Sequence, residues 1–137
     1  ESDSETEELK IQNLVVPGET KWKQGCFTAK IYSYNGKKIL EKKYTKWFDC
    51  DKINCELTVR TRRSGDYMAV SQSGGHKKLT RCMIDDKIPG ELRGKLPLVV
   101  DGNEVLWIVG GRINERYKIT SETGRVLEIT YQGGNVQ

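Results

Sequence analysis

Residues 97–109 read PLVVDGNEVLWIV, and this stretch carries the strongest fold signal in the 137-residue chain. Two apolar runs flank Asp101-Gly102-Asn103, a combination typical of a turn between two strands. In residues 104–109 both alternating sets of side chains are apolar, so the sequence predicts a strand that is buried on both faces. Such a strand needs a layer of protein on each side of its sheet, which indicates a layered fold.

Short strands are predicted on both sides of this stretch. We expect extended segments at residues 9–16, 26–34, 37–44, 56–62, 97–100, 104–109, 112–120 and 125–131. Asn35-Gly36 predicts a hairpin between residues 26–34 and 37–44, because both turn positions favour positive φ. Residues 112–120 and 125–131 are expected to form the final pair.

One helical segment interrupts the strands. Leu79, Cys82 and Met83 follow the i, i+3, i+4 spacing of an apolar stripe, which predicts a helix over residues 77–86. A second helical turn is expected at residues 90–95. The sequence therefore predicts an α+β fold that is mainly β, with a layered β-sandwich-like core and one or two short helices inserted around 77–95.

Charge is distributed unevenly along the chain. The sequence has 23 Lys and Arg against 19 Asp and Glu, a net charge of +4. Residues 1–8 contain five acidic and no basic side chains, so the remaining 129 residues carry a net charge of +9. We interpret residues 1–8 as an acidic linker or frayed end and residues 9–137 as one domain. Because the sequence begins with Glu1 and not Met, we expect it to be part of a longer protein.

Several classes of protein are disfavoured by composition. The sequence has no run of about 18 apolar residues and no apolar segment near its start, so we expect neither a membrane span nor a secretory signal. We therefore expect the protein to be cytoplasmic. Cys26, Cys50, Cys55 and Cys82 are spread along the chain, and we interpret them as reduced, mostly buried thiols. Cys50 and Cys55 are the only close pair and His76 is the only histidine, so we expect no metal site.

Residues 73–76 read SGGH and resemble the start of the SGGxDS phosphate loop of ATP pyrophosphatases. Lys77 and Lys78 stand where that loop requires Asp and Ser, so we exclude an ATP site. A phosphate contact and a merely flexible loop both remain open as interpretations. His76 has no recognisable nucleophile or base partner in the sequence, and we expect the chain to be non-catalytic.

A basic cluster occupies residues 57–93. Its eight basic side chains, against four acidic ones, are Arg60, Arg62, Arg63, Lys77, Lys78, Arg81, Lys87 and Arg93. We expect Arg60 and Arg62 to project from one face of a strand, and Lys78 and Arg81 from one face of the helix. Arginines on a rigid strand suit contacts with phosphates. Salt bridges to the neighbouring aspartates are the competing use.

The cluster belongs to a longer pattern. In chain order it reads Val59-Arg60-x-Arg62-Arg63-x-Gly65-Asp66, Gly75-x-Lys77-Lys78-Leu79, Asp86-Lys87-Ile88-Pro89-x-x-x-Arg93, Leu96-Pro97-Leu98-Val99 and Trp107-x-x-Gly110-x-Arg112-Ile113. Each element is weak alone, but the ordered set resembles the C-terminal domain of bacterial tRNA(Ile)-lysidine synthase over residues 57–131.

The resemblance implies a function and a set of partners. A domain of this family is expected to grip the acceptor stem of an isoleucine tRNA with a CAU anticodon. The N-terminal catalytic domain of such an enzyme uses ATP, with magnesium, to join lysine to C2 of the wobble cytidine; no cofactor is implied for the C-terminal domain. The residues that match the family's basic positions, and are our candidate RNA contacts, are Arg60, Arg62, Lys77, Lys78, Lys87, Arg93 and Arg112. Gly65, Pro89, Pro97 and Trp107 match positions that we interpret as architectural.

Two alternatives remain open at this point. The domain could be a protein-interaction or dimerisation module, such as a homodimer, that makes no direct RNA contact and uses its lysines for solubility. It could also be a small enzyme that uses a cysteine or His76 as its reactive group.

Overall fold

The computed structural model describes residues 11–23, 25–37, 39, 42–53, 56–71 and 75–133. Within them the chain forms ten strands and two short α-helices. The strands are β1 (Gln12–Asn13), β2 (Gly18–Trp22), β3 (Gly25–Ser33), β4 (Thr45–Asp49), β5 (Thr58–Arg60), β6 (Tyr67–Ala69), β7 (His76–Lys78), β8 (Leu98–Asp101), β9 (Glu104–Ile108) and β10 (Arg125–Gly133). The helices are α1 (Leu79–Asp85) and α2 (Gly90–Arg93), and 3₁₀ turns cover Cys50–Lys52 and Glu115–Tyr117.

The strands form two sheets. One has six strands in the order β1-β5-β8-β9-β6-β7, and the other has four in the order β2-β3-β10-β4. The long strands β3 and β10 lie at the centre of the smaller sheet and pair antiparallel, from Arg125 opposite Ser33 to Gly133 opposite Gly25. The hairpin of β8 and β9 lies at the centre of the larger sheet, between β5 and β6.

Two apolar cores cover the two faces of the larger sheet. Side chains alternate along a strand, so Val99 joins the core between the sheets whereas Leu98 and Val100 join the core beneath α1. The core between the sheets includes Phe27, Phe48, Val59, Trp107, Leu127 and Ile129. The core beneath α1 includes Met68, Leu79, Cys82, Met83 and Val105. The small sheet, the large sheet and the helices therefore form three layers, which confirms the predicted mainly β, layered α+β fold.

Residues 97–109 form the two strands and the turn that the sequence predicts. Strand β9 is buried along its whole length, as expected for a strand with two apolar faces. Gly102 adopts a φ of +68° in the turn between β8 and β9, a conformation that glycine takes without steric cost. The apolar stripe of α1 is also confirmed, since Leu79, Cys82 and Met83 are at most 1% exposed.

The hairpin predicted at Asn35-Gly36 is wrong. Strand β3 ends at Ser33; it pairs with β10 along its whole length on one side and with β2 along Gly25–Ala29 on the other. Gly36 has a φ of +82°, but Asn35 is not among the described residues with positive φ. Of the expected strand 37–44, residues 38, 40 and 41 lie outside the described residues, and the others precede β4 without strand structure.

The strand predicted at residues 112–120 is also wrong. Ile113 makes a single bridge to Trp107, and a 3₁₀ turn follows. The buried Asn114 side chain accepts a hydrogen bond from the Arg116 amide at 2.8 Å, and this cap turns the chain. Strand β10 instead pairs with β3 and β4.

The helix begins two residues later than predicted. Lys77 and Lys78 belong to β7, which pairs antiparallel with β6 and brings Lys77 opposite Met68. The second helical turn is confirmed as α2. Residues 1–8, which we interpret as an acidic linker, lie outside the described residues.

Candidate nucleic-acid interface

Arg60 lies at the end of β5 and points into the interior. The residue is 3% exposed. Its guanidinium donates two hydrogen bonds to Asp66, from Nη1 to Oδ2 at 2.9 Å and from Nη2 to Oδ1 at 2.8 Å, and also donates to the carbonyl oxygens of Thr61 and Gly102. Of the two arginines expected on one face of the strand, Arg60 is therefore buried, whereas Arg62 lines an open cavity.

Asp66 is the acceptor on which this interior network converges. Besides Arg60, it accepts hydrogen bonds from the Arg63 amide at 2.7 Å and from Asn103 Nδ2 at 3.1 Å. Burial alone would raise the pKa of Asp66, but the hydrogen bonds from Arg60, Arg63 and Asn103 outweigh it and hold the pKa below its ordinary value. The network ties the β5–β6 turn to the β8–β9 turn. We call these residues, together with Gly102, the interior lock.

A cavity of about 450 Å³ opens next to the interior lock. We call it the arginine pocket; it is lined by Arg62, Arg63, Ser64, Gly65, Asp66, Tyr67, Lys78, Leu79 and Thr80. Gly65 has a φ of +91° in the turn that carries the arginines, a conformation in which other residues are strained, and this fits its architectural interpretation.

Three cations converge on the arginine pocket. Arg62 comes from the end of β5, Arg63 from the turn and Lys78 from the end of β7. Within the described part of the chain none of the three side chains forms an ion pair. The one carboxylate in the lining, Asp66, is engaged by Arg60, so the pocket presents uncompensated positive charge. Sequence reasoning included Arg63 in the basic cluster but not among the candidate contacts, although its position beside Arg62 at the start of a turn was the available signal.

Two other cations of the cluster are paired with acids. Lys77 Nζ donates to Asp85 Oδ2 at 2.7 Å, and Arg81 Nε lies 3.8 Å from Asp85 Oδ1. The hydrogen bond from Lys77 lowers the pKa of Asp85. In this part of the cluster the basic side chains therefore form salt bridges with a neighbouring aspartate, which is the alternative to RNA contact given above.

Lys87, Arg93 and Arg112 lie beyond the other end of α1. Arg112 donates to both carboxylate oxygens of Asp86, at 2.9 and 2.7 Å, and this pairing raises the pKa of the guanidinium. Arg93 Nε donates to the Ile88 carbonyl at 2.8 Å. Lys87 is exposed. The structure thus brings Arg62 and Lys78 together at one end of α1 and separates them from these three residues.

The other candidate reactive groups show no catalytic arrangement in the described residues. His76 is exposed and its ring packs against the Tyr67 ring at an angle of 52°, with centroids 4.8 Å apart. Burial raises the pKa of the Cys50 and Cys82 thiols, which makes them poorer nucleophiles. Cys55 and the loop residues 72–74, including the first two residues of the SGGH motif, lie outside the described residues.

The described residues contain neither a group of side chains arranged for a metal ion nor a helix long enough to span a membrane. Across residues 11–133, apart from the undescribed gaps, no group of three or more His, Cys, Asp or Glu side chains is arranged to hold a metal ion. The helices that the structure describes are too short to cross a membrane.

Comparison with known families identifies the domain. Residues 57–129 match the family model described as the TilS substrate C-terminal domain. This match covers more than half of the chain. The chain belongs to the TilS C-terminal domain family. The resemblance noted in the sequence is thereby confirmed.

Three curated relatives share one name. Proteins named tRNA(Ile)-lysidine synthase are 44% identical over 88 residues in Caldanaerobacter subterraneus subsp. tengcongensis and 43% identical over 90 residues in Clostridium tetani. The protein of that name in Clostridium perfringens is 39% identical over 98 residues. These matches cover 64, 66 and 72% of this chain and 19, 19 and 21% of the relatives. The chain therefore spans about a fifth of the length of the relatives it matches.

A solved structure extends the likeness to almost the whole chain. A crystal structure of a TilS C-terminal domain superposes with a TM-score of 0.72 at 26% sequence identity, covering 92% of this chain and 98% of the other. The family match begins just before β5 and ends within β10. All residues of the arginine pocket lie inside this segment of the TilS C-terminal domain.

Proposed function

We propose that this domain binds the acceptor stem of an isoleucine tRNA with a CAU anticodon, as the C-terminal part of an ATP-dependent tRNA(Ile)-lysidine synthase. The observation that supports the proposal is the arginine pocket, where Arg62, Arg63 and Lys78 surround one open cavity without a free acid. Membership of the TilS C-terminal domain family and the name shared by the relatives add to it.

The chemistry of the arginine pocket suits an RNA backbone. A guanidinium presents parallel N–H donors that match the oxygens of a phosphate, and a lysine ammonium adds a compact charge. An A-form stem exposes its phosphates and 2′-hydroxyls, whereas its major groove is too deep and narrow for side chains to read. A cluster of free cations on a rigid turn therefore favours recognition of shape and phosphates.

The seven candidate residues take different roles in this proposal. Arg62 and Lys78, joined by Arg63, contact phosphates directly, and Lys87 contributes from the far end of α1. Lys77, Arg93 and Arg112 are already engaged with protein acceptors, so we assign them secondary contacts. Arg60 acts as a positioning residue, because its guanidinium holds the turn that carries Arg63 and directly follows Arg62.

The covalent chemistry of the proposed enzyme takes place in another domain. We propose that an N-terminal catalytic domain, a partner of this one, uses ATP with magnesium and joins lysine to C2 of the wobble cytidine in the cytoplasm. The role of this domain is to hold the tRNA during that reaction. It supplies binding energy and orientation and requires no cofactor of its own.

RNA titration with a charge-matched control tests the proposal. Fluorescently labelled acceptor-stem hairpin is titrated at low salt with the wild-type domain and with a variant carrying Arg62→Ala, Arg63→Ala and Lys78→Ala. We expect the triple variant to bind at least about tenfold more weakly, since it loses three charge-assisted contacts. The control variant removes three cations outside the pocket, at Lys21, Lys118 and Arg125. Equal losses in both variants would show that overall charge, and not the pocket, governs binding.

One observation favours a second function. Ile11, Val15 and Val16 are exposed by 37, 51 and 36% although they are apolar, and such groups of residues often mark protein contacts. The domain would then be a protein-interaction or dimerisation module. Light scattering combined with the RNA titration separates the two, because self-association without RNA binding favours this alternative.

A further inference from the structure

A second cavity, of about 590 Å³, lies beyond the C-terminal end of α1. Its floor is apolar and includes Ile88, Leu96 and Val109. Two of the large apolar side chains that line it, Tyr44 and Leu92, are exposed by 45 and 42%. We call it the apolar pocket. Its volume is typical of a small-molecule site and is small for a folded protein partner.

The rim of the apolar pocket is positively charged. Lys43 and Lys87 line it, and neither forms an ion pair with a described residue. Lys43 Nζ lies 5.5 Å from the centre of the Tyr44 ring. The one acid in the lining is Asp86, whose carboxylate accepts hydrogen bonds from Nε and Nη2 of Arg112. An apolar floor with a cationic rim suits a flat ring that carries a phosphate.

Lys87 takes a backbone conformation that its side chain does not favour. Its φ is +61°. The amides of Lys87 and Ile88 donate to the carbonyls of Ile84 and Met83, which closes α1 with the hydrogen bonds of a Schellman motif. Glycine is the usual residue at this position, because a side chain is strained there. The lysine therefore costs stability, and its ammonium forms no hydrogen bond or ion pair with the described residues that would offset that cost.

We propose that the apolar pocket binds an unpaired nucleotide next to the RNA duplex, with the base on the apolar floor and its phosphate at Lys87 and Lys43. This inference rests on the proposed function, because it assumes that a duplex occupies the arginine pocket. The two pockets lie at opposite ends of α1, whose seven residues span about 10 Å. One RNA can therefore contact both, and an acceptor stem, which ends in unpaired nucleotides, supplies the required combination.

Two RNA probes and the variant Lys87→Gly test the inference. The probes are an acceptor-stem hairpin with a blunt end and the same hairpin with unpaired 3′ nucleotides. We expect the wild-type domain to bind the extended probe about tenfold more tightly, the magnitude typical of one stacked base. Lys87→Gly should abolish most of this preference and raise the melting temperature, because glycine relieves the strain. The control Lys95→Ala, an exposed lysine outside the pocket, should change neither.

A second pair of variants keeps the test independent of backbone effects. Leu92→Glu places an acid in the apolar pocket and should also remove the preference for unpaired nucleotides. Ile84→Glu, on an equally exposed residue of α1 outside the lining, should not. Equal binding of the two probes by the wild-type domain, or an undiminished preference in Lys87→Gly, would overturn the inference. Self-association that Leu92→Glu abolishes would overturn it in favour of a protein contact.

Failure of this inference can be told apart from failure of the proposed function. If the triple variant of the arginine pocket binds the blunt probe as tightly as the wild-type domain, the proposed function fails. If that variant is impaired but the extended probe gains nothing over the blunt one, only the apolar pocket has been wrongly assigned.

Discussion

The interior lock and the arginine pocket are neighbours built from one segment, yet they use cations in opposite ways. Arg60 is buried, and its guanidinium donates hydrogen bonds to a carboxylate and to two carbonyl oxygens. Arg62, two residues later, lines an open pocket without an acid partner. A basic cluster in a sequence therefore mixes structural charges with binding charges, and the positions of the acidic side chains distinguish the two. Removing a charge from the lock should cost stability, whereas removing one from the pocket should cost affinity.

The largest effect is expected from Arg60→Ala. The substitution leaves the buried Asp66 carboxylate without its main partner, and breaking a buried ion pair in this way costs about 3–5 kcal/mol of stability. Arg62→Ala should change the free energy of unfolding by about 0.5 kcal/mol or less, since its side chain makes no described ion pair. Urea unfolding followed by circular dichroism measures both. Similar values for the two variants would contradict the distinction between lock and pocket.

A smaller effect is expected from pH. The folded-state pKa of Asp66 lies below the ordinary value of 3.8, so its contribution to stability is complete above about pH 5 and disappears as the pH falls through the folded-state pKa. The variant Asp66→Asn lacks this titrating group. We therefore expect the difference in unfolding free energy between wild type and Asp66→Asn to shrink as the pH is lowered below about 5. A constant difference over that range would show that Asp66 does not titrate as described.

The smallest effect compares two adjacent lysines. Lys78 lines the arginine pocket without an ion pair, whereas Lys77 is bound to Asp85. We expect Lys78→Ala to weaken RNA binding about fivefold, equivalent to one phosphate contact, and Lys77→Ala to weaken it by less than about twofold. Fluorescence anisotropy at fixed salt resolves the two values. A larger loss in Lys77→Ala would mean that the ion pair opens when RNA binds.

Local patterns predicted the parts of the fold that depend on local burial. The two apolar faces of residues 104–109 indicated a strand covered on both sides, and the spacing of Leu79, Cys82 and Met83 indicated α1; both are confirmed. The pairing of the strands was harder to predict from the sequence. Strand β10 pairs with β3 across about a hundred residues of sequence, and no nearby turn signal reports such a register.

The candidate site was also predictable only in part. The sequence located the basic cluster between Arg60 and Arg93 and named Arg62 and Lys78, which the structure brings to one pocket. It could not separate them from Arg60, because the burial of that guanidinium depends on Gly102 and Asn103 from a distant turn. Hydrogen bonds between distant segments are fixed by the fold and leave no periodic trace in the sequence.

The salt dependence of RNA binding tests most directly whether the free cations of the arginine pocket hold the RNA. Each phosphate contact adds roughly 0.7–0.9 to the slope of log affinity against log salt concentration. We predict that the variant with Arg62→Ala, Arg63→Ala and Lys78→Ala has a slope about 2–3 smaller in magnitude than the wild-type domain, whereas the charge-matched variant at Lys21, Lys118 and Arg125 keeps the wild-type slope. An unchanged slope in the pocket variant, or an equal reduction in both variants, would show that the cations of the arginine pocket do not hold the RNA.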